Sequence, residues 1–391
     1  MTTQKIITRD FALCFLAQFA FSSVYHTLIP TLPIYLSRSG ATEAEIGLLI
    51  GIFGVSSLFL RPFVGRALLK IPEKNFMFTG SAIFVLATAA YLVAPPFWPF
   101  LMVRIFQGTG LAFFYTASVT LIGNISPEAH RVRSLSYFYL AFNISFALAP
   151  SFGMFLINRS SFTLLFLFCT GLSLCSLMIT NKLGKTHVHP LESPSVADHS
   201  LFNRKILPPS IMVFFVHVIW GTLTTFFPLY ALDQGVANPG LFFAAYATVL
   251  IVGRALGGKI LDRYSREKVI LPCLITYILS MTLLAYSKSL PMFILVAVIW
   301  GIGNAFLIPT LVAYALDLAP SSRGPAMGTF TAISDLGTGL GPVIMGLLLR
   351  LTGYPIMFLC LALTSVINLG YFLFFVRKKT LGVLPVNQAE S

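Results

Sequence analysis

Long apolar runs alternate with short polar segments along most of the 391 residues. A helix needs about 20 apolar residues to span a bilayer, and only helices or closed barrels satisfy every backbone polar group in lipid. We therefore predict an all-α membrane protein with twelve transmembrane helices. The predicted spans are 10–36, 45–68, 76–94, 98–121, 133–157, 162–181, 209–232, 241–261, 269–287, 291–316, 325–350 and 355–376.

A polar segment rich in Pro, Ser and His separates the sixth predicted span from the seventh. This change in composition predicts an N-terminal six-helix bundle at 1–181, a cytoplasmic linker at 182–208, and a second six-helix bundle with a short cytoplasmic tail at 209–391. The linker histidines, which are irregularly spaced, are interpreted as solvated side chains rather than a metal site. They are His187, His189 and His199.

The composition indicates that lipid is the main solvent. Hydrophobic residues make up 57% of the chain and charged residues 10%, against about a quarter charged in soluble domains. A net charge of +13 could indicate nucleic acid binding, but the basic residues lie in short loops. Most, including Arg61, fall on the side of the N-terminus, so both termini are predicted to face the cytoplasm across an inner membrane. The predicted outer loops hold only Arg38, Arg159, Lys288 and Arg350.

The second half of the sequence repeats the first at an offset of about 192 to 195 residues, as duplicated transporters do. HTLIPTLPIYL at 26–36 aligns with GTLTTFFPLYA at 221–231. RPFVGRALLK, which begins at Arg61, aligns with RALGGKILDR, which begins at Arg254. Asn143 and Pro150 align with Asp335 and Pro342 at the same internal spacing.

Four motifs resemble those of the major facilitator superfamily. GGKILDRYSREKV at 257–269 resembles the loop signature G-x-x-x-D-R-x-x-R-[KR], and RIFQGTG at 104–110 resembles the fourth-helix R-x-x-Q-G motif. SFALAPSFG at 145–153 and GTGLGPVIMG at 337–346 are similar to the G-x-x-x-G-P signature of drug-type antiporters. The first half departs from the pattern, since Leu69 replaces the loop aspartate and Ser145 and Ala149 replace the two glycines.

The resemblance implies a cytoplasmic latch that holds the two halves together in the outward-open state. Because the Leu69 side chain cannot accept hydrogen bonds, the latch is expected to work mainly through the second-half copy of the loop motif. Each basic residue could instead merely anchor the topology. The latch residues are Gly258, Asp262, Arg263 and Arg266, with Gly65 and Lys70 in the first half. Helices five and eleven are expected to supply tight packing and bending points at Pro150, Gly153, Gly337, Gly341 and Pro342.

Polar residues inside the spans are candidates for a substrate or proton pathway. A central Arg costs about 2.5–3.5 kcal/mol in a membrane helix, so Arg104 requires compensation by a transport role or by backbone carbonyls. Asp335, the carboxylate near the middle of a span, should be paired or protonated. His26 and Tyr25 are expected at a depth similar to that of Arg104. The remaining candidates, each with helix packing as the alternative, are Gln107, Asn143, His217 and Asn304.

The sequence therefore predicts a secondary active transporter, not an enzyme. It has no nucleophile elbow, metal constellation or P-loop, and no soluble domain of a receptor. We expect a monomer that exports a small amphipathic or drug-like molecule or metabolite by alternating access and proton antiport, with no cofactor besides the proton gradient. The alternative is a proton-coupled uptake symporter for a sugar or organic anion.

Overall fold

The computed structural model describes residues 7–68, 70–95, 97–126, 131–184, 204–319 and 323–377, without the side chains at 131–133, 136, 256–263 and 323–325. Within these ranges every extended regular element is a helix, which confirms the predicted fold class. The helices are α1 Arg9–Arg38, α2 Glu43–Ala67, α3 Glu73–Ala90, α4 Trp98–Ile125, α5 Arg131–Arg159, α6 Phe162–Asn181, α7 Leu207–Asp233, α8 Gly240–Arg263, α9 Arg266–Tyr286, α10 Leu290–Leu318, α11 Arg323–Thr352 and α12 Tyr354–Tyr371.

Local polar residues set where several helices begin. The backbone N–H of Phe11 donates to the Thr8 hydroxyl at the start of α1, 3.2 Å away. At the start of α2 the Glu45 carboxylate accepts from the Thr42 N–H at 2.7 Å, as in a capping box. The turn before α2 contains Gly40 with φ of +86°, a conformation that glycine adopts without strain.

Ten helices in the described part of the chain are long and apolar enough to cross a membrane. α3 falls outside this set because it opens with the polar sequence Glu73-Lys74-Asn75. α8 falls outside it because its described apolar portion stops at Ala255. Both helices pack among the others, α3 against α4 and α8 against α10, so the bundle contains twelve helices.

The two groups of six helices pack in the same pattern. In the first group α1 packs on α5 and α6, and α3 packs on α4 and α6. In the second group α7 packs on α11 and α12, and α9 packs on α10 and α12. The groups meet where α2 crosses α11, where α5 crosses α8, and where α1 approaches α7. A pseudo-twofold relationship therefore exchanges the α2/α11 contact with the α5/α8 contact.

Small residues bring the crossing helices into backbone contact. A Cβ added to Gly47 would overlap the Pro342 carbonyl oxygen, and one added to Gly51 would overlap that of Gly339. At the other crossing, a Cβ on Gly240 would lie 2.5 Å from the Ser151 Cα. These contacts fall near the starts of α2 and α8, so the two groups are closed together on the side of the membrane opposite the start of α1.

Candidate functional site

A narrow cavity lies between the two groups of helices. The first group contributes Tyr25 from α1, Phe53 from α2 and Arg104 from α4. The second group contributes Gly221 and Thr224 from α7 and Thr338 from α11, and several aliphatic side chains complete the lining. The cavity is therefore mostly apolar with a few polar groups, as small-molecule sites generally are.

Arg104 lies beside this cavity with only 4% of its surface exposed. Its Nε donates to the Leu49 carbonyl at 2.9 Å and its Nη2 donates to the Ile50 carbonyl at 3.2 Å. Its Cζ lies 4.5 Å from the centre of the Phe53 ring, close enough for a cation–π contact. All of these partners are neutral, so they compensate for lost water without cancelling the positive charge.

Gln107 fixes the orientation of Arg104. Its Oε1 accepts from Nη1 of Arg104 at 2.8 Å and from the Tyr91 hydroxyl at 2.5 Å. Residues three apart on a helix lie on the same face, which explains the spacing in the R-x-x-Q motif. Arg104 thus donates to backbone carbonyls, as one of the two predicted roles requires, and it also lies beside the cavity, as the other requires.

Asp335 on α11 forms an ion pair with Arg61 on α2. The Arg61 Nη1 lies 3.0 Å from the Asp335 Oδ2, and the side chains are 20% and 19% exposed. The contact lacks hydrogen-bond geometry, and Oδ2 accepts no hydrogen bond from the described part of the chain. The pair therefore joins the two groups of helices mainly by charge, and one carboxylate oxygen retains a lone pair for a proton.

Aromatic side chains connect this ion pair to Arg104. The Arg61 Cζ lies 5.5 Å from the centre of the Tyr115 ring. Tyr25 stacks on Phe53 with ring centres 5.5 Å apart, and it is near enough to Arg104, Arg61 and Asp335 to interact with their charges. The sequence-predicted residues Tyr25, Arg104 and Asp335 therefore belong to one charged cluster, which also contains Arg61.

His26 lies next to this cluster but is fully buried between α1 and α5. Its Nδ1 is 2.7 Å from the Ser145 hydroxyl, which itself donates to the Phe142 carbonyl at 2.8 Å. Because the Ser145 proton is used in that bond, Nδ1 of His26 is assigned as the donor and Nε2 as the unprotonated nitrogen. Nε2 has no hydrogen-bond partner in the described residues, and the Phe142 and Phe146 rings pack against the imidazole.

The other predicted pathway residues lie farther apart. Nδ1 of His217 is 2.9 Å from the Val213 carbonyl of its own helix, a structural contact. Asn304 lies beside Tyr246. Asn143 is half-buried on α5, and its side chain makes no hydrogen bond within the described residues.

Half of the predicted latch residues, Gly258, Asp262 and Arg263, lie where the structure describes the backbone alone. Leu69 lies outside the described residues. In this conformation Arg266 forms an ion pair with Asp317 at the adjacent end of α10, in its own half. Its role between the halves in the outward-open state stays a prediction.

The first-half latch residues make no close contact that would indicate a latch in this conformation. A Cβ added to Gly65 would meet nothing within 4 Å. Lys70 is exposed at the end of α2.

The predicted packing residues divide between two kinds of contact. A Cβ on Gly337 would overlap the Phe214 carbonyl and one on Gly341 would overlap that of Val218, both on α7 of the same half. A Cβ on Gly153 would lie 2.9 Å from the Thr27 carbonyl on α1, also in the same half. Pro342 and Pro150, by contrast, lie at the crossings with Gly47 and Gly240 of the opposite half.

Sequence reasoning missed Arg61, which it assigned to the cytoplasmic topology signal. Arg61 lies inside both the predicted span 45–68 and the observed α2, Glu43–Ala67, so it is a charged residue within a helix that needs a partner. The internal repeat is the signal that could have found it. Arg61 aligns with Arg254, just as Asn143 aligns with Asp335 on the partner helices.

Two pseudo-symmetric groups of six helices around a central cavity define a membrane transporter. The sequence matches the model of the Major Facilitator Superfamily over residues 14–242 and again over 210–389. The chain therefore belongs to the major facilitator superfamily, and it is a transporter rather than an enzyme.

Curated relatives cover most of the chain at low identity. The staphylopine export protein of Staphylococcus aureus (strain Mu50 / ATCC 700699) is 24% identical over 353 residues, 85% of this chain and 88% of the relative. The quinolone resistance protein NorA of Staphylococcus aureus (strain MSSA476) is 23% identical over 340 residues, 82% of this chain and 85% of the relative.

Solved structures share the fold. The nucleoside transporter NupG superposes with a TM-score of 0.81 at 15% identity, covering 94% of this chain and 98% of that one. A POT family transporter in complex with a thioalcohol-conjugated peptide has a TM-score of 0.80 at 13% identity, covering 95% and 97%. At these identities the likeness establishes the architecture alone.

Proposed function

We propose that this transporter exports a small amphipathic or drug-like molecule or metabolite from the cytoplasm in exchange for protons, by alternating access. The observation that carries the proposal is the Arg61–Asp335 pair between the two halves. A partly buried ion pair contributes little net stability compared with apolar packing, so its presence between the halves favours a role as a switch.

The proton would act on this pair. Protonation of Asp335 neutralises the carboxylate and removes its attraction to Arg61, which frees the inner part of α2 to move relative to α11. In this state α2 and α11 would stay in contact at Gly47 and Gly51, so that side of the bundle would stay closed. Alternating access then consists of opening those contacts while the opposite side closes.

The lining of the cavity supports an amphipathic substrate. Aliphatic side chains such as Leu28, Ile29 and Leu32 offer apolar contact, while Thr224 and Arg104 offer polar contact. The names of two relatives, a staphylopine exporter and a quinolone resistance protein, support export as the direction. Arg104, which has a buried charge without a described carboxylate partner, is the residue that would recognise an organic anion in an uptake symporter.

A screen followed by transport tests the proposed direction. Compounds that raise the melting midpoint of the purified protein, with fluoroquinolones included, are offered to inside-out vesicles with and without a pH gradient. Export predicts accumulation that requires an acidic lumen and disappears when an ionophore removes the gradient. Accumulation only in right-side-out vesicles with acid outside would establish the uptake symporter instead.

A further inference from the structure

The two helix crossings between the halves repeat the same register. Gly47 on α2 contacts Pro342 on α11, and Gly240 on α8 contacts Pro150 and Ser151 on α5. Arg61 lies fourteen residues after Gly47, and Arg254 lies fourteen residues after Gly240. A pseudo-twofold axis that superposes the crossings therefore superposes Arg61 on Arg254.

The partner helices α11 and α5 share the same sequence spacing, but only α11 has a charged residue at the equivalent position. Asp335 lies seven residues before Pro342, and Asn143 lies seven residues before Pro150. In this register Asn143 is the counterpart of Asp335, as Arg254 is the counterpart of Arg61. The first crossing contains an ion pair with no net charge, whereas the second has an arginine aligned with an amide and, among the described side chains, no carboxylate to balance it.

Arg254 has no counterion within the described residues, where the ion pairs are Arg61–Asp335, Arg266–Asp317 and Arg377–Glu267. Its side chain is exposed, and it interacts electrostatically with Tyr246 and Tyr277 on the inner side of the second half. Water can solvate this charge while the site is open. When the halves close around substrate, an enclosed guanidinium requires an anion, as charged groups in membrane interiors do.

Aromatic rings cluster about two helical turns from this position, toward the start of α8. Tyr246, eight residues before Arg254, packs 4.2 Å from Trp300 and 5.6 Å from Trp220 between ring centres. On α5, Phe146 is three residues from Asn143 and lies 5.3 Å from Trp220. Trp220 is only partly buried, so its face is available to a flat apolar group.

Resting on the proposed transport function, we propose that Arg254 and Asn143 form a substrate subsite for the carboxylate of an aromatic organic anion. The guanidinium pairs with the carboxylate in the position that Asp335 fills at the other crossing, and the Asn143 amide donates a further hydrogen bond. The aromatic body stacks on Trp220. Arg104 is less suited to this role, because Leu49, Ile50 and Gln107 already take one donor on each of its three nitrogens, three of its five N–H groups.

The test uses matched probes that share a ring system and differ in charge. The anions are 1-naphthoate and indole-3-acetate, the neutral counterparts are 1-naphthalenemethanol and tryptophol, and the cations are 1-naphthylmethylamine and tryptamine. Binding to the purified full-length protein is measured by the melting midpoint as a function of probe concentration. Wild type is expected to bind at least one of the anions at least tenfold more tightly than its neutral and cationic counterparts.

Two variants are expected to remove that preference. Arg254→Gln removes the cation, and Asn143→Asp supplies an internal carboxylate that occupies the subsite. Asn143→Asp is also expected to raise the melting midpoint without ligand, since it completes a second ion pair, and this shows that the variant folds. Arg66→Gln, which removes an exposed positive charge on α2, is the matched control and should retain the preference.

Equal binding of anionic and neutral probes by wild type would overturn the subsite, as would an anion preference that persists in Asn143→Asp. Because binding is measured at equilibrium without a proton gradient, this outcome is independent of whether Asp335 couples transport to protons. Asp335→Asn should therefore lose coupling and keep the anion preference.

Discussion

Arg61 on α2 and Asp335 on α11 lie 3.0 Å apart between their Nη1 and Oδ2 atoms, and they connect the two halves of the transporter by charge. The pair lies beyond the glycine contacts of the same crossing, on the side toward the end of α2. It is therefore located where the halves must separate or close during transport. Its breaking and reforming would couple protonation to that movement.

Removing one partner of this pair should destabilise the protein more than removing both. Asp335→Asn or Arg61→Gln leaves one uncompensated charge, and since each side chain is about one-fifth exposed, we expect a cost of about 1–3 kcal/mol for each single variant. The double variant should recover most of this loss. A double-mutant cycle on unfolding in mixed micelles measures the coupling, and additive effects would show that the two charges do not interact.

The glycine contacts between α2 and α11 should control closure of the side opposite the start of α1. Gly51→Ala places a methyl group against the Gly339 carbonyl, and overpacking of this kind costs about 1–3 kcal/mol. We expect a lower melting midpoint and faster labelling by an impermeant maleimide of a cysteine introduced at Thr224.

Gly65→Ala on the same helix is the matched control, because its methyl group would meet nothing within 4 Å. It should behave like wild type in both measurements. Equal effects of the two substitutions would show that the α2/α11 contact does not set the closed side.

Arg104 should not be replaceable by Lys. An ammonium group cannot reach the Leu49 and Ile50 carbonyls and Gln107 together with the geometry of a guanidinium. Arg104→Lys is expected to lower the transport rate at least tenfold and to lower the melting midpoint. A purely structural role would leave the KM of the remaining activity unchanged, whereas a role in substrate recognition would raise it.

The latch predicted from the sequence depends on its second-half copy. Asp262→Ala should reduce transport more than any substitution of Leu69, which has no carboxylate to lose. Initial transport rates at matched expression, with Leu69→Ala as the control, test this prediction. Wild-type activity in Asp262→Ala would remove the latch from the mechanism.

The helices and the duplication could be predicted because lipid imposes apolar runs of fixed length. The glycines and prolines of α11 could be recognised by their motif, but the neighbouring helix that each of them contacts could not be predicted. Gly337 and Gly341 face α7, whereas Gly339 faces α2 across the halves, and this depends on the rotation of α11. The sequence placed Asp335 within a span and predicted that it is either paired or protonated. It could not supply Arg61, because pairing between helices distant in sequence depends on tertiary packing.

The most direct test of the account measures proton movement driven by substrate in proteoliposomes that contain a pH-sensing dye. A compound identified by the stabilisation screen is added outside, with no pH gradient imposed. Proton antiport predicts that the lumen becomes alkaline in wild type, whichever way the protein is inserted, and that Asp335→Asn gives no pH change while still exchanging labelled substrate. Acidification of the lumen, or an undiminished alkaline response in Asp335→Asn, would contradict the account.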